Sequence, residues 1–266
     1  MKIKKLVLLS FLLVSYSLFS QDREFLQTYQ SSTLPKDTKD VEIYNTFSTG
    51  GDSYYRGLYQ RLEFEIGLTN HLQTSMYINI NTVSSAINDT SRINTTTSFS
   101  VSSEWKLKLS NPYKNIVGSA LYAELLVSPQ EFELETKIII DKNIEDEIFA
   151  LNMVNEFEME SGITPSDQQN ENHPELDFGY MHMFGDHFGI GLEFRENNTI
   201  SHNEGWEYST LFGGPTIFYS GKSNSIVLNV LPQLRNFHKT QYDSGNLVMG
   251  DYQRWEVRLL FSFNGL

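Results

Sequence analysis

Among its 266 residues the chain has no cysteine, which rules out disulfides, thiolate metal centres, a cysteine nucleophile and a lipid-bearing N-terminal cysteine. Long apolar runs are missing as well, apart from one at the extreme N-terminus. No later stretch approaches the about 20 apolar residues that a membrane-crossing helix requires. An exported chain of this kind either stays in water or crosses a membrane as a closed barrel. Basic residues are scarce: 20 Lys and Arg stand against 33 Asp and Glu, a formal charge of −13. Without Lys2, Lys4 and Lys5 the balance is 17 against 33, or −16. Such a surface repels polyanions and excludes nucleic acid as a partner; it reads as solvated acidic loops. The mean hydropathy of −0.34 is compatible with a membrane barrel, because a barrel needs only alternate residues to be apolar.

Residues 1–20 have the layout of a secretory signal peptide. Lys2, Lys4 and Lys5 form the charged start, Leu6 to Val14 the apolar stretch, and Ser20 the small residue before cleavage, with Ser17 as the alternative site. Residues 21–39 are polar without a sustained period and are expected to form a periplasmic lead-in. From residue 40 to 266 the pattern is that of one domain with a period of two. Twelve candidate strands cover 40–48, 55–68, 72–82, 92–109, 115–127, 130–141, 147–159, 175–184, 188–196, 207–220, 225–235 and 250–264, with ten to fourteen strands left open. In the second, Leu58, Leu62, Phe64, Ile66 and Leu68 alternate with Tyr59, Arg61, Glu63 and Glu65. In the last, Trp255, Val257, Leu259, Phe261 and Phe263 alternate with Arg254, Glu256, Arg258 and Ser262. A helix, with its period of 3.6, cannot keep such faces separate.

Alternation alone does not say whether the apolar face points inward, as in a soluble β protein, or outward into lipid. The connections favour lipid. Tight turns at Thr69 to His71, Ser110 to Pro112, Lys142 to Ile144, Gly185 to His187 and Gly221 to Asn224 alternate with mostly longer polar loops. Short turns on one rim and long loops on the other are the pattern of outer-membrane barrels. The expected fold class is therefore all-β, an antiparallel up-and-down transmembrane barrel, located in the bacterial outer membrane after signal cleavage. Its partners would be outer-membrane lipids and the barrel-assembly machinery. The tyrosines and tryptophans near strand ends, Tyr54, Tyr55, Tyr113, Trp206, Tyr208 and Tyr219, suit interfacial girdles.

Three segments carry a resemblance: Leu18-Phe19-Ser20-Gln21, Thr33-Leu34-Pro35-Lys36 ahead of Val41-Glu42-Ile43, and the run from Arg61 to Leu72. In these the chain resembles outer-membrane β-barrel proteins of Bacteroidota and related Gram-negative bacteria, mostly families of unknown function. The resemblance implies a location and a fold, and brings no catalytic residue. The terminal Asn264-Gly265-Leu266 departs from the aromatic end common in such barrels, leaving Phe261 or Phe263 to serve assembly.

The face opposite the apolar one supplies the candidate lumen residues: Arg61, Glu63, Glu65, Glu104, Lys106, Glu133, Glu135, Glu193, Arg195, Arg254, Glu256 and Arg258. Charges of both signs in a lumen demand pairing or water. They fit either a narrow pore for a small solute or a plugged, charge-paired structural barrel that docks partners. Barrel closure suggests that Arg254 and Arg258 pair with Glu63 and Glu65. Nothing in the sequence converges as a catalytic set: Ser201-His202-Asn203 are consecutive loop residues, and the chain reads as a non-enzyme. The acidic stretch Glu156, Glu158, Glu160, Asp167, Glu171, His173 and Glu175 lacks the spacing and glycine of a recognised calcium loop, so no metal or cofactor is assigned.

Overall fold

A computed structural model describes residues 23–265 except 52, 88–91, 130, 161–169, 240–244 and 250–252. The expected signal segment, 1–20, lies outside the described residues. Twelve strands follow in order: β1 (Lys39–Thr49), β2 (Tyr55–Gly67), β3 (Leu72–Ala86), β4 (Ile93–Ser110), β5 (Gly118–Val127), β6 (Glu131–Ile144), β7 (Glu147–Glu160), β8 (Asn170–Met183), β9 (Phe188–Ser201), β10 (Gly205–Ser220), β11 (Asn224–Asn236) and β12 (Trp255–Phe263). Each pairs antiparallel with its sequence neighbours, and β12 closes on β1 with Val41 opposite Phe263 and Thr49 opposite Trp255. Closure removes the free edge, and with it the unpaired backbone groups that hydrocarbon would penalise.

Side-chain parity follows the sequence pattern. On β1, Glu42, Tyr44, Thr46 and Ser48 are buried inside the barrel while Ile43 and Phe47 point out. On β4, Ser100, Ser102, Glu104 and Lys106 point in, and Phe99, Val101, Trp105 and Leu107 point out. The outward residues stay largely uncovered, with Phe99 at 62%, Met76 at 57% and Val101 at 54% of full exposure. An apolar belt around a closed barrel with a polar interior inverts the arrangement of a water-soluble protein and matches a hydrocarbon surround. Among the described residues no helix is long and apolar enough to cross a membrane.

The barrel's first strand starts, and its last strand ends, at the rim of short turns. There Thr69 Oγ1 accepts from the backbone N–H groups of His71 and Leu72, and Asn111 Oδ1 from those of Tyr113 and Lys114. Gly185 sits at φ 72° in the β8–β9 turn, a conformation that side chains disfavour. Several connections differ from expectation, among them the expected tight turn at Ser110 to Pro112, which spans residues 111–117 between β4 and β5. The β6 ladder runs on to Ile144, so the turn falls at Glu145 and Asp146. On the opposite rim β8 and β9 extend beyond their expected limits, leaving only residues 202–204 between β9 and β10. Tyr54, Tyr113, Trp206 and Tyr219 are exposed near strand ends. Tyr55 turns inward to hydrogen-bond Tyr59 and does not serve the girdle.

Residues 23–34 lie within the barrel, where a lead-in outside it was expected. Phe25, Leu26, Thr28, Ser31 and Leu34 are 0–1% exposed. The segment enters at the β2–β3 turn, where Thr33 and Lys36 bond Asn70, and crosses the lumen to β5, β7, β9 and β12. The cause is apolar burial: Phe25 and Leu26 pack with Ile148, Ala150, Met181, Phe218, Val227 and Leu260 of the inner wall, and Tyr29 with Ala120, Tyr122 and Ile139.

Candidate functional site: the plugged lumen

The plug is held by polar contacts as well as packing. Glu193 on β9, fully buried, accepts hydrogen bonds from three consecutive backbone N–H groups: Leu26 at 3.1 Å, Gln27 at 2.6 Å and Thr28 at 3.0 Å. Successive main-chain donors converging on one anion form a positively polarised concavity. Thr216 Oγ1 and Asn229 Nδ2 donate to the same carboxylate at 2.8 and 3.1 Å. Asn152 clasps Tyr29, accepting from its N–H at 2.5 Å and donating to its carbonyl at 2.9 Å. The Gln73 side chain accepts from Leu34 N–H at 2.9 Å.

Two wall glycines make room. A Cβ at Gly179 would lie 2.9 Å from two ring carbons of Phe25. One at Gly67 would lie 2.1 Å from the Pro35 carbonyl oxygen. Substitution at either position therefore collides with the seated plug.

Above the plug, toward the rim of longer loops, opens a cavity of about 600 Å³ floored by Leu26 and Tyr29. One side carries three arginines, each with a partner. Arg61 pairs with Glu124 and donates to Asn79 Oδ1 at 3.0 Å, and its guanidinium lies 3.9 Å from the Tyr77 ring centre. Arg195 pairs with Glu256 at 3.1 Å. Arg258 donates to Thr46 at 2.9 Å and to the Leu26 carbonyl at 3.2 Å, and lies 3.5 Å from Glu256. The other side is acidic, with Glu133, Glu135 and Glu156, and continues into a second cavity of about 260 Å³ bordered by Glu158, His173 and Glu175. Lys137 holds Glu135 at 3.1 Å, and His173 lies 3.6 Å from Glu158 and 3.5 Å from Glu171. The vestibule thus has an arginine wall whose cations are each paired, facing a wall where carboxyl groups outnumber cations.

Of the twelve candidate lumen residues, eleven line the interior: Arg61, Glu63, Glu65, Glu104, Lys106, Glu133, Glu135, Glu193, Arg195, Glu256 and Arg258. Arg254 does not. It precedes β12, is exposed, and uses its backbone N–H to bond Thr49 and Gly50. The expected pairing of Arg254 and Arg258 with Glu63 and Glu65 is also not formed. Register is the reason: Arg258 stands opposite Thr46, whereas Glu63 stands opposite Glu42, which faces Ser262. Those levels are four residues apart along β12, about 13 Å at the rise of a strand. Sequence reasoning missed the plug, Asn152 and the inner apolar wall. The signal was present in Phe25, Leu26 and Tyr29 within the lead-in, and in Leu260 on an otherwise polar face.

Together these features define a class: a twelve-stranded barrel of the outer-membrane type, polar inside, apolar outside and occluded by its own N-terminal segment. The chain belongs to a family of unknown function, DUF6662, whose model matches residues 17–264. No curated protein matches its sequence. Solved structures share the fold. An outer membrane channel from Pseudomonas putida F1 is 10% identical with a TM-score of 0.64, the match covering 90% of this chain and all of that one. The NanC porin is 11% identical with a TM-score of 0.57, over 84% of this chain and 98% of the porin. The β domain of the Bordetella autotransporter BrkA is 7% identical with a TM-score of 0.56, over 86% and 99%.

Proposed function

We propose that this protein is an outer-membrane channel for a small polar solute, closed at its short-turn end by residues 23–34 in the conformation described. The observation that carries this reading is the vestibule: a charged cavity of about 600 Å³ whose floor is a separate peptide segment, Leu26 and Tyr29, and not the barrel wall. A floor held by hydrogen bonds and packing can be displaced, whereas wall side chains cannot leave. The likeness to the Pseudomonas putida channel and the NanC porin supports the reading at the level of fold. The outward apolar belt supports an outer-membrane location.

A second reading, a non-transporting barrel, is favoured by one specific feature, the depth at which the plug is seated, with Phe25 and Thr28 at 0% exposure. Planar-bilayer recording separates the two. The chain from residue 21 should conduct weakly or intermittently, and deletion of 21–34 should raise conductance several-fold. A deletion variant that migrates as a folded, heat-modifiable barrel and still passes no current would refute the channel and leave the structural reading standing.

A further inference from the structure

Below the plug, at the short-turn end, the carboxylates of Glu42, Glu63 and Glu65 converge, with ligand oxygens all within 4.8 Å of one another. Glu63 is 0% exposed, and its carboxylate oxygens meet no donor other than the neighbouring Glu65 carboxyl. Its neighbours are already committed. Glu42 accepts from Tyr44 at 2.5 Å and from Ser262 at 2.6 Å, and Glu65 accepts from Gln73 at 2.8 Å. Glu104 lies close by, and its Oε1 is likewise buried without a partner. Against these four carboxylates the pocket offers two cations, Arg23 at 3.6 Å from Glu42 and Lys106 beside Glu65. Carboxyl groups thus outnumber cations in an enclosed site, which is costly for any protein interior unless protons or a metal ion neutralise them. A void of about 20 Å³, bordered by Arg23, Tyr29, Gln30, Glu42, Glu65 and Lys106, adjoins the cluster. That is room for one ion or one water.

We infer that Glu42, Glu63 and Glu65 form a binding site for one divalent, oxygen-seeking cation of the calcium type, set between the barrel wall and the underside of the plug. The donor set is all hard carboxylate oxygen, which selects calcium or magnesium over transition metals. Three carboxylates offer up to about six oxygens without requiring octahedral order. Magnesium retains several waters, and the void lacks space for them. Glu42 and Glu65 share the adjoining void with Arg23, Tyr29 and Gln30 of the plug, so an ion there steadies the segment that occludes the lumen.

The test is calorimetric titration of the chain from residue 21, folded in a neutral detergent and stripped with EDTA, with calcium chloride alone and then magnesium chloride alone at pH 7.5. One calcium ion per chain is expected, with magnesium at least tenfold weaker. Glu63→Gln and Glu65→Gln should each weaken calcium binding at least tenfold while migrating as folded barrels. Glu204→Gln, in the exposed β9–β10 turn, should leave it unchanged. Absence of calcium binding to the folded wild-type barrel, the sign of carboxyls neutralised by protons, would overturn the inference. So would a site lost in Glu204→Gln and retained in Glu63→Gln.

Discussion

Replacing Glu193 by Gln should loosen the plug without unfolding the barrel. The carboxylate accepts from five donors, three of them the consecutive backbone N–H groups of Leu26, Gln27 and Thr28. Bonds to a charged acceptor contribute about 1.5–3 kcal/mol each against about 0.5–1.5 for a neutral one, so losing the charge costs about 1 kcal/mol per N–H. The amide also turns its NH₂ toward donors, leaving at least one buried group unsatisfied at about 1–3 kcal/mol. Part of this is offset because a buried charge is no longer desolvated. A net loss of about 3–4 kcal/mol shifts the docked-to-undocked ratio by roughly two to three orders of magnitude, at about 1.4 kcal/mol per tenfold. The absence of cysteine makes the readout simple. Ser31, a plug residue at 0% exposure, is replaced by Cys, and the rate of reaction with a water-soluble maleimide follows the undocked fraction. Glu193→Gln should accelerate labelling about a hundredfold or more and raise bilayer conductance. An unchanged labelling rate in a folded variant would refute the claim that Glu193 anchors the segment.

Three further outcomes follow from the same geometry. Gly179→Leu drives a side chain into the space of the Phe25 ring, and should raise both the labelling rate at position 31 and the open-channel conductance; a silent substitution would mean that the plug is not seated there. A Cys introduced at Arg258 should resist a bilayer-soluble probe while one at Leu259 reacts, since β12 alternates across the wall; the reverse pattern would move the whole strand register by one residue. Val101→Arg, on the outward face, should lower unfolding stability by about 2–4 kcal/mol in lipid vesicles if it lies near the midplane, and a cost near zero would place β4 outside the hydrocarbon.

The barrel was legible in the sequence because it depends on a local rule. Period-two alternation from Leu58 to Leu68 and from Trp255 to Phe263 fixes which side of each strand meets lipid, and tight turns at Thr69 and Gly185 fix where the chain reverses. The lumen contents were less legible because they depend on register between strands distant in sequence. Whether Arg258 reaches Glu63 is decided by Thr46 lying opposite Arg258 and Glu42 opposite Glu63, and no pattern within β12 records that. The plug was missed for a different reason. A segment that docks by backbone N–H groups on Glu193 and Asn152 needs no periodicity of its own, so residues 23–34 look like a linker.

One irregularity in the strands does point to the plug once the parity rule is applied strictly. Ile139, Ile148, Ala150, Met181, Phe218, Val227 and Leu260 all fall on inward positions, near the short-turn end, where an open water-filled lumen would call for polar residues. Exposing such a wall to water would forfeit about 25 cal/mol for every Å² of apolar surface. Phe25, Leu26 and Tyr29 are the residues that cover it. The opposite half of the lumen keeps Arg61, Glu133, Glu156 and Arg195 around open space. On the β6–β12 part of the wall this apolar cluster lies at the level of the plug, and Glu133, Glu156 and Arg195 border the vestibule above it. In a barrel of this kind, apolar residues that break the inward polar pattern at one end are a sequence-level sign that the chain's own N-terminal segment is folded inside.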